Sequence, residues 1–250
     1  KGYEIARLNY YGRINYTYKE KYLFEALFRY DGSYLFPEDT RYGFFPGASA
    51  GWVVSEENFF KDNVSFLDYF KLKGSWGQLG NDNVAPFQFL ASYGFSATGL
   101  GDVYTTAYET KVPNTNITWE TQTSANFGFD LRAINNRLSL GFEVFRNLRE
   151  NILTLPNKTL PSYSGITPPA QNIGEFENTG IEITAGFNGE TNSGLTYNFS
   201  FNVSDSNNTL LFVDEPDFAD RPWQRETGGE LGRPLLYSFD GVFRSQAEID

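Results

Sequence analysis

The stretch "YTYKEKYLFEALFRYDGS", Tyr16 to Ser33, decides how the rest of the chain is read. From Tyr22 onward, one set of alternate residues is Tyr22, Phe24, Ala26, Phe28 and Tyr30, and the intervening set is Leu23, Glu25, Leu27, Arg29 and Asp31. Period-two alternation belongs to a β-strand, whose successive side chains point to opposite faces. One face is ringed and apolar while the other carries Glu, Arg and Asp, so the two sides meet different surroundings. The apolar surroundings are either a protein core or the hydrocarbon of a membrane.

The pattern recurs along the chain. In "RLNYYGRINYTY", Leu8, Tyr10, Gly12, Ile14, Tyr16 and Tyr18 alternate with Arg7, Asn9, Tyr11, Arg13, Asn15 and Thr17. In "WETQTSANFGFDLR", Trp119, Ala125, Phe127, Phe129 and Leu131 oppose Glu120, Gln122, Ser124, Asn126, Asp130 and Arg132. "LTYNFSFNVS" sets Leu195, Tyr197, Phe199, Phe201 and Val203 against Thr196, Asn198, Ser200, Asn202 and Ser204. Strands are predicted over 6-18, 21-31, 46-55, 69-79, 118-133, 136-148, 178-188, 194-205 and 234-243. Their length is close to the roughly 10 residues that cross a bilayer at a tilt.

The connections between them alternate short and long. Residues 19-21, 134-136 and 188-194 are short, whereas 32-45, 80-117, 149-177 and 206-233 are long and rich in Gly, Pro, Asn and Asp. In an antiparallel meander every second connection emerges at the same end, so the long loops gather on one side. The short-side segment 55-70 is predicted to hold a brief amphipathic helix opening at Ser55, with Glu56 and Glu57 in its first turn.

A soluble β-sandwich satisfies the same alternation. Three features favour the membrane barrel. Soluble strands average about 5–6 residues and these are longer. Rings such as Tyr18, Tyr22, Tyr30, Tyr69 and Trp119 fall near strand ends, where an interface girdle wants them. The loops are lopsided.

Composition narrows the function. With 20 basic against 31 acidic residues and a formal charge of -11, the chain does not suit nucleic acid, whose affinity comes from Lys and Arg on phosphates. There is no His and no Cys among the 250 residues, which removes Ser-His-Asp hydrolysis, thiolate chemistry, disulfides and His-ligated zinc. No run approaches the ~20 apolar residues of a membrane helix, so strands must do any crossing. The chain has no Met and opens at Lys1, and it is expected to be an internal piece of a longer protein.

Chemical motifs are weak. The Gly74, Gly77, Gly80 series lacks the spacing of a dinucleotide fingerprint. "NDN" at 81-83 and "DEPDFAD" at 214-220 offer oxygens suited to Ca²⁺ but match no EF-hand, so no metal or other cofactor is expected. No acid stands out as one of a catalytic pair, and the chain is not expected to be an enzyme. Trp223, between Arg221 and Arg225 in an acidic loop, has the composition of a sugar-gripping segment.

From Arg29 the text becomes specific. "RYDGSYLFPEDTRYGFFPGASAGWVVSEENFF" followed by "FKLKGSWGQLGN" resembles the C-terminal barrel region of SusC/RagA-type TonB-dependent outer-membrane transporters of Bacteroidetes. The matching positions include Asp31, Gly32, Ser33, Phe36, Phe45, Pro46, Gly51, Trp52, Glu57, Gly80 and Asn81; Tyr34, Tyr42 and Gly47 depart from the family pattern. "NRLSLGFEVFRNLRENIL", "NIGEFENTGIEITAGF" and "GRPLLYSFDGVFRSQAEI" look like later family segments, so the likeness spans nearly the whole chain. Most signature positions read as structural. Asp31-Gly32-Ser33 ends a strand with Gly free to take φ > 0, Pro46 suits the first residue of a strand, and Trp52 suits a lipid face.

The resemblance implies an all-β, antiparallel transmembrane barrel, of which residues 1-250 supply eight or nine of 22 strands as part of one domain. The plug and TonB box are expected upstream. It further implies import of oligosaccharides or peptides across the bacterial outer membrane with a SusD-like lipoprotein lid and the TonB-ExbB-ExbD system. A soluble carbohydrate-binding or adhesin β-sandwich is the alternative. On the barrel reading Tyr, Phe, Leu and Val face lipid. Arg13, Glu25, Arg29, Lys71, Lys73, Glu120, Asp130, Arg132 and Glu143 face the lumen. Arg13, Glu25, Arg29, Lys71, Glu120, Arg132 and Trp223 are the candidate cargo contacts.

Overall fold

The computed structural model describes residues 5–98, 104–158, 168–239 and 241–243. Ten strands run in chain order: β1 (Arg7–Tyr18), β2 (Tyr22–Ser33), β3 (Tyr42–Val53), β4 (Leu67–Asn81), β5 (Ser92–Thr98), β6 (Tyr104–Lys111), β7 (Glu120–Ala133), β8 (Leu138–Thr154), β9 (Gln171–Glu190) and β10 (Thr196–Phe212). Eight of them form one sheet in the order β1-β2-β3-β4-β7-β8-β9-β10, while β5 and β6 pair as a separate hairpin. Every neighbouring pair in the large sheet is antiparallel. The result is an open meander whose long connections share one end.

Local chemistry explains the turns. Lys19 and Glu20 have φ of 51° and 58°, and the Lys21 N–H donates to the Tyr18 carbonyl at 3.0 Å. Two central residues with positive φ give a turn whose twist matches that of a hairpin.

Register shows that the sheet is a membrane wall. Starting at Tyr18, the cross-strand partners are Tyr22, Trp52, Leu72, Phe129, Phe142, Ile183 and Val203, one from each of the eight strands. All eight are aromatic or aliphatic. The neighbouring row on the opposite face is Thr17, Leu23, Gly51, Lys73, Gly128, Glu143, Glu182 and Ser204. Among the described residues no second large sheet stacks on the aromatic face. Phe24, Phe127 and Phe201 keep 49%, 59% and 60% of their surface exposed. The total accessible area of 18211 Å² far exceeds the roughly 11,000 Å² of a folded globular monomer of this mass. The sandwich alternative requires rings packed across a dry interior, and the structure lacks that packing.

The apolar band also crosses the strands diagonally. On β2 its lower edge is Tyr22, on the row just traced. On β10 the band continues below Val203 through Phe201 and Phe199 to Tyr197. Above that row, β2 carries Phe24, Phe28 and Tyr30, whereas β10 turns polar at Asp205 and Asn207. Strands tilted to the membrane normal produce this stagger, as barrel closure demands.

One small buried cluster lies at the long-loop end. Phe36, Phe45, Ile117 and Trp119 are 7% exposed or less, with Val84, Phe89 and Leu153 packed around them. Phe45 is on the water-facing row of β3, so loops fold inward over the wall there. A Cβ at Gly80 would collide with the Phe45 ring, which accounts for that signature glycine.

Several sequence expectations are corrected. Residues 234-239 and 241-243 form no strand, and Tyr237 and Phe239 are fully or largely exposed; Asp240 lies outside the described residues. β5 and β6 arise within a segment read as loop. β8, β9 and β10 run to Thr154, Gln171 and Phe212, well into expected loops. Trp119 is not a girdle ring but core, its Nε1 donating to the Arg41 carbonyl at 3.1 Å. Tyr69 lies on the water-facing side under Arg132, whose guanidinium is 5.3 Å from the ring centre.

The segment after β3 forms a 3-10 turn, Val54–Glu56, followed by α1, Asn58–Asn63, so the helix starts later than Ser55. Gly32 is absent from the positive-φ glycines; a Cβ there would strike the Tyr42 ring, so the position demands space, not a special backbone. Pro46 sits inside β3, one residue before its pairing with β4 begins. Its carbonyl faces Gly77 of β4, so its nitrogen, which has no N–H, points where the ladder has already ended.

Candidate functional site

Among the described residues, strand register concentrates charge on the water-facing side of the wall, and its groups come from six strands. On β1 and β2, Arg13 reaches Glu25 at 3.5 Å. Further up, Arg29 holds Asp31 at 2.9 Å. Ser33, fully buried, donates to Asp82 at 2.8 Å, and Arg7 meets the same Asp82 oxygen at 2.9 Å. The Asp-Gly-Ser signature therefore ties the β2 end to the loop after β4, using Asp82 from the stretch read as an oxygen-ligand candidate. Of the other two members of that stretch, Asn81 donates to Glu120 at 3.3 Å, and the Asn83 N–H donates to the Asn81 Oδ1 at 3.1 Å.

At mid-wall, Lys73 of β4 bridges Asp130 of β7 and Glu143 of β8, each at 3.2 Å. The three side chains are between 32% and 42% exposed, so each ion pair contributes about 0–1 kcal/mol, and the network mainly fixes position. Glycines make the room. A Cβ at Gly51 would come within 2.9 Å of the Lys71 Cε, and one at Gly128 would strike the Phe142 carbonyl. Glu25, Ser49, Lys71, Lys73, Asn126 and Glu143 line a shallow concavity of about 350 Å³. It mixes cationic, anionic and amide groups, the set that grips a hydroxyl-rich or peptide chain by hydrogen bonds.

The sequence-predicted contacts do not converge on one point. Arg13, Glu25 and Lys71 belong to the β1–β4 part. Glu120 pairs with Arg149 at 3.2 Å on the long-loop side. Arg132 stands near the short-turn end above Tyr69. Trp223 lies in a 3-10 turn, Pro222–Gln224, beyond β10 and is 58% exposed. Its loop is organised by Glu215, which accepts from the N–H groups of Glu226 and Thr227 at 2.9 and 3.0 Å. Burial opposes ionisation of Glu215, yet these donors and Arg225 hold its carboxyl below the usual range. Glu182, cross-strand from Glu143 on the same face, was missed; only register reveals that two acids stand side by side.

A second polar knot sits at the short-turn end. Glu57 accepts from Tyr22 Oη at 2.6 Å, Lys21 Nζ at 2.9 Å and Trp52 Nε1 at 3.2 Å. These bonds, Tyr22 first, then Lys21 and Trp52, lower its carboxyl to about 2. That explains why a Glu stands at this signature position.

Comparison with known proteins agrees with this geometry. Residues 2–237 match the family described as "TonB dependent receptor-like, beta-barrel". The chain is 33% identical over 253 residues to TonB-dependent receptor P3 of Formosa agariphila, covering 96% of this chain and 25% of that protein. It is 31% identical over 232 residues to TonB-dependent receptor SusC of Bacteroides thetaiotaomicron, covering 90% and 23%. The structure of the RagAB peptide importer in its open-open state superimposes with a TM-score of 0.74 at 23% identity, over 84% of this chain and 22% of that one. The chain thus spans about a quarter of the length of these relatives.

Proposed function

Because the chain belongs to the TonB-dependent receptor-like β-barrel family, we propose that residues 1-250 form one stretch of the wall of an outer-membrane importer. Its cargo is an oligosaccharide or a peptide, taken up with energy from TonB and with a SusD-like lipoprotein over the long loops. The observation that carries this is the eight-residue apolar row from Tyr18 to Val203 backed by a charged, glycine-spaced row. A wall with hydrocarbon on one side and water on the other has those two rows and no dry interior between stacked sheets.

Arg13, Glu25, Arg29, Lys71, Glu120, Arg132 and Trp223 are proposed to touch cargo at successive depths, since they spread from rim to rim. No step of bond-making is assigned to the chain. The function is tested by uptake of labelled oligosaccharides and labelled peptides into cells carrying the full-length protein, with TonB present or deleted. Uptake of one class that stops without TonB is the expected result. Uptake that persists without TonB means a passive pore, and uptake of neither class overturns the reading.

A further inference from the structure

The connector between β3 and β4 folds against the outside of the wall. Trp52 and Phe70 both belong to the lipid-facing rows: Trp52 lies between Tyr22 and Leu72 in register, and Phe70 contacts Phe129 at 5.9 Å between ring centres. Two consecutive residues of α1 meet these two rings. Phe59 contacts Trp52 at 6.5 Å, and Phe60 stacks on Phe70 at 6.2 Å with 14° between planes. A connector hanging below the rim, or one folded into the lumen, reaches neither ring.

Glu57 fixes the approach. By accepting from Lys21, Tyr22 and Trp52, it satisfies the polar tips of the rim while their rings stay on the apolar face. Tyr18, Tyr22 and Trp52 follow one another at 6.4 and 6.5 Å, and Phe59 extends that line onto α1. Phe59 remains 58% exposed. On the polar side of the same short helix, Lys61 is paired with Glu56 at 2.6 Å.

We propose that α1 is an interfacial element that seats Phe59 among the phospholipids of the leaflet on the short-turn side, as a continuation of the Tyr18–Tyr22–Trp52 row. The occupant is lipid because the surface is continuous with the membrane-facing band. Its composition also fits the boundary between headgroup and acyl chain, with rings inward along the band and paired charges outward. The inference rests on the wall spanning a membrane, and the test separates the two claims.

The test places the photoreactive residue p-benzoylphenylalanine at Phe24, Phe59 or Lys61 of the full-length protein in phosphatidylethanolamine and phosphatidylglycerol liposomes, and identifies adducts by mass. The substitution keeps a ring at 24 and 59, and position 61 lies on the opposite side of α1 from Phe59. Phospholipid adducts at 24 and 59, with none at 61, are expected. A lipid adduct at 24 with none at 59, or with a protein crosslink at 59, overturns the interfacial role alone. Absence of lipid adducts at both 24 and 59 overturns the membrane wall and the interfacial role together. Equal lipid labelling at 59 and 61 overturns the specific seating of Phe59.

Discussion

β1 to β3 and β8 to β10 cross the same apolar band but treat the space beyond it differently. On β2 the last band ring, Tyr30, is followed by three residues to the strand end at Ser33. There the chain turns into a compact loop held by Phe36, Phe45, Ile117 and Trp119. On β10 the band stops at Val203, yet the strand continues to Phe212, still paired to β9 beyond its polar switch at Asp205. The lesson is that strand length does not measure membrane thickness. The diagonal of the apolar band sets the crossing, and each strand ends wherever its partner stops offering hydrogen bonds.

The largest expected effect tests the wall common to both regions. Residues 1-250 expressed without the rest of a barrel leave the outer edges of β1 and β10 unpaired, and backbone groups in lipid must be satisfied. The product is expected to aggregate without detergent. A monodisperse, cooperatively unfolding species in size-exclusion chromatography and calorimetry would falsify the wall.

Next in size is the loop cluster above β2 and β3. Phe36→Ala removes a fully buried ring and is expected to cost about 3–5 kcal/mol. In the full-length protein, hydrogen exchange should rise in residues 34-45 and 114-119 while β9 and β10 stay protected. Exchange rising equally in β10 would contradict the separation of the two regions.

Phe201→Arg and Asn207→Arg sharpen the band on β10, because both positions share its outer face. Arg at the first should cost about 2–4 kcal/mol and at the second about 0–1 kcal/mol in bilayer-refolding titrations. Equal costs would place the band edge elsewhere.

The smallest effect concerns the short-turn end of β2 and β3. The Glu57 carboxyl is lowered to about 2 in the folded protein, against roughly 4.3 when unfolded. A depressed carboxyl contributes stability that is complete above the unfolded value and is lost as pH falls from there through about 2. Glu57→Gln should therefore flatten the acid limb of the stability profile in that window. An unchanged limb would show that the knot is not coupled to folding.

Much of the fold was legible. β1 and β2 differ from the alternation by only a residue or two at their ends, because rings and charges alternate there without interruption. The outer parts of β8, β9 and β10 were not legible, since beyond Val144, Ile181 and Val203 no face keeps an alternating apolar run, and Phe145, Leu148, Phe176 and Leu210 stand among polar residues without a period. Residues 234-239 alternate yet form no strand, because periodicity describes faces while a strand also needs a partner edge. No such edge is reached: the chain after β10 returns only far enough for Gly228 and Gly229 to bond with Leu210.

The charged face was legible as a list but not as pairs. Lys73 with Asp130 on the adjacent strand and Glu143 one strand further, Asp82 with Ser33, and Glu57 with Tyr22 join residues at least 35 positions apart in the chain. No local spacing encodes them.

Direction of travel has a consequence of its own. β1 descends from the long-loop rim, and β10, seven strands later in the sheet, climbs back to it, with four hairpins between. A block that starts and finishes at the same rim can be duplicated, lost or exchanged between relatives without inverting its flanks. Any even number of successive strands has this property, so exchanges and insertions of whole hairpins are expected to fall in the long loops, where they leave the direction of the flanking strands unchanged.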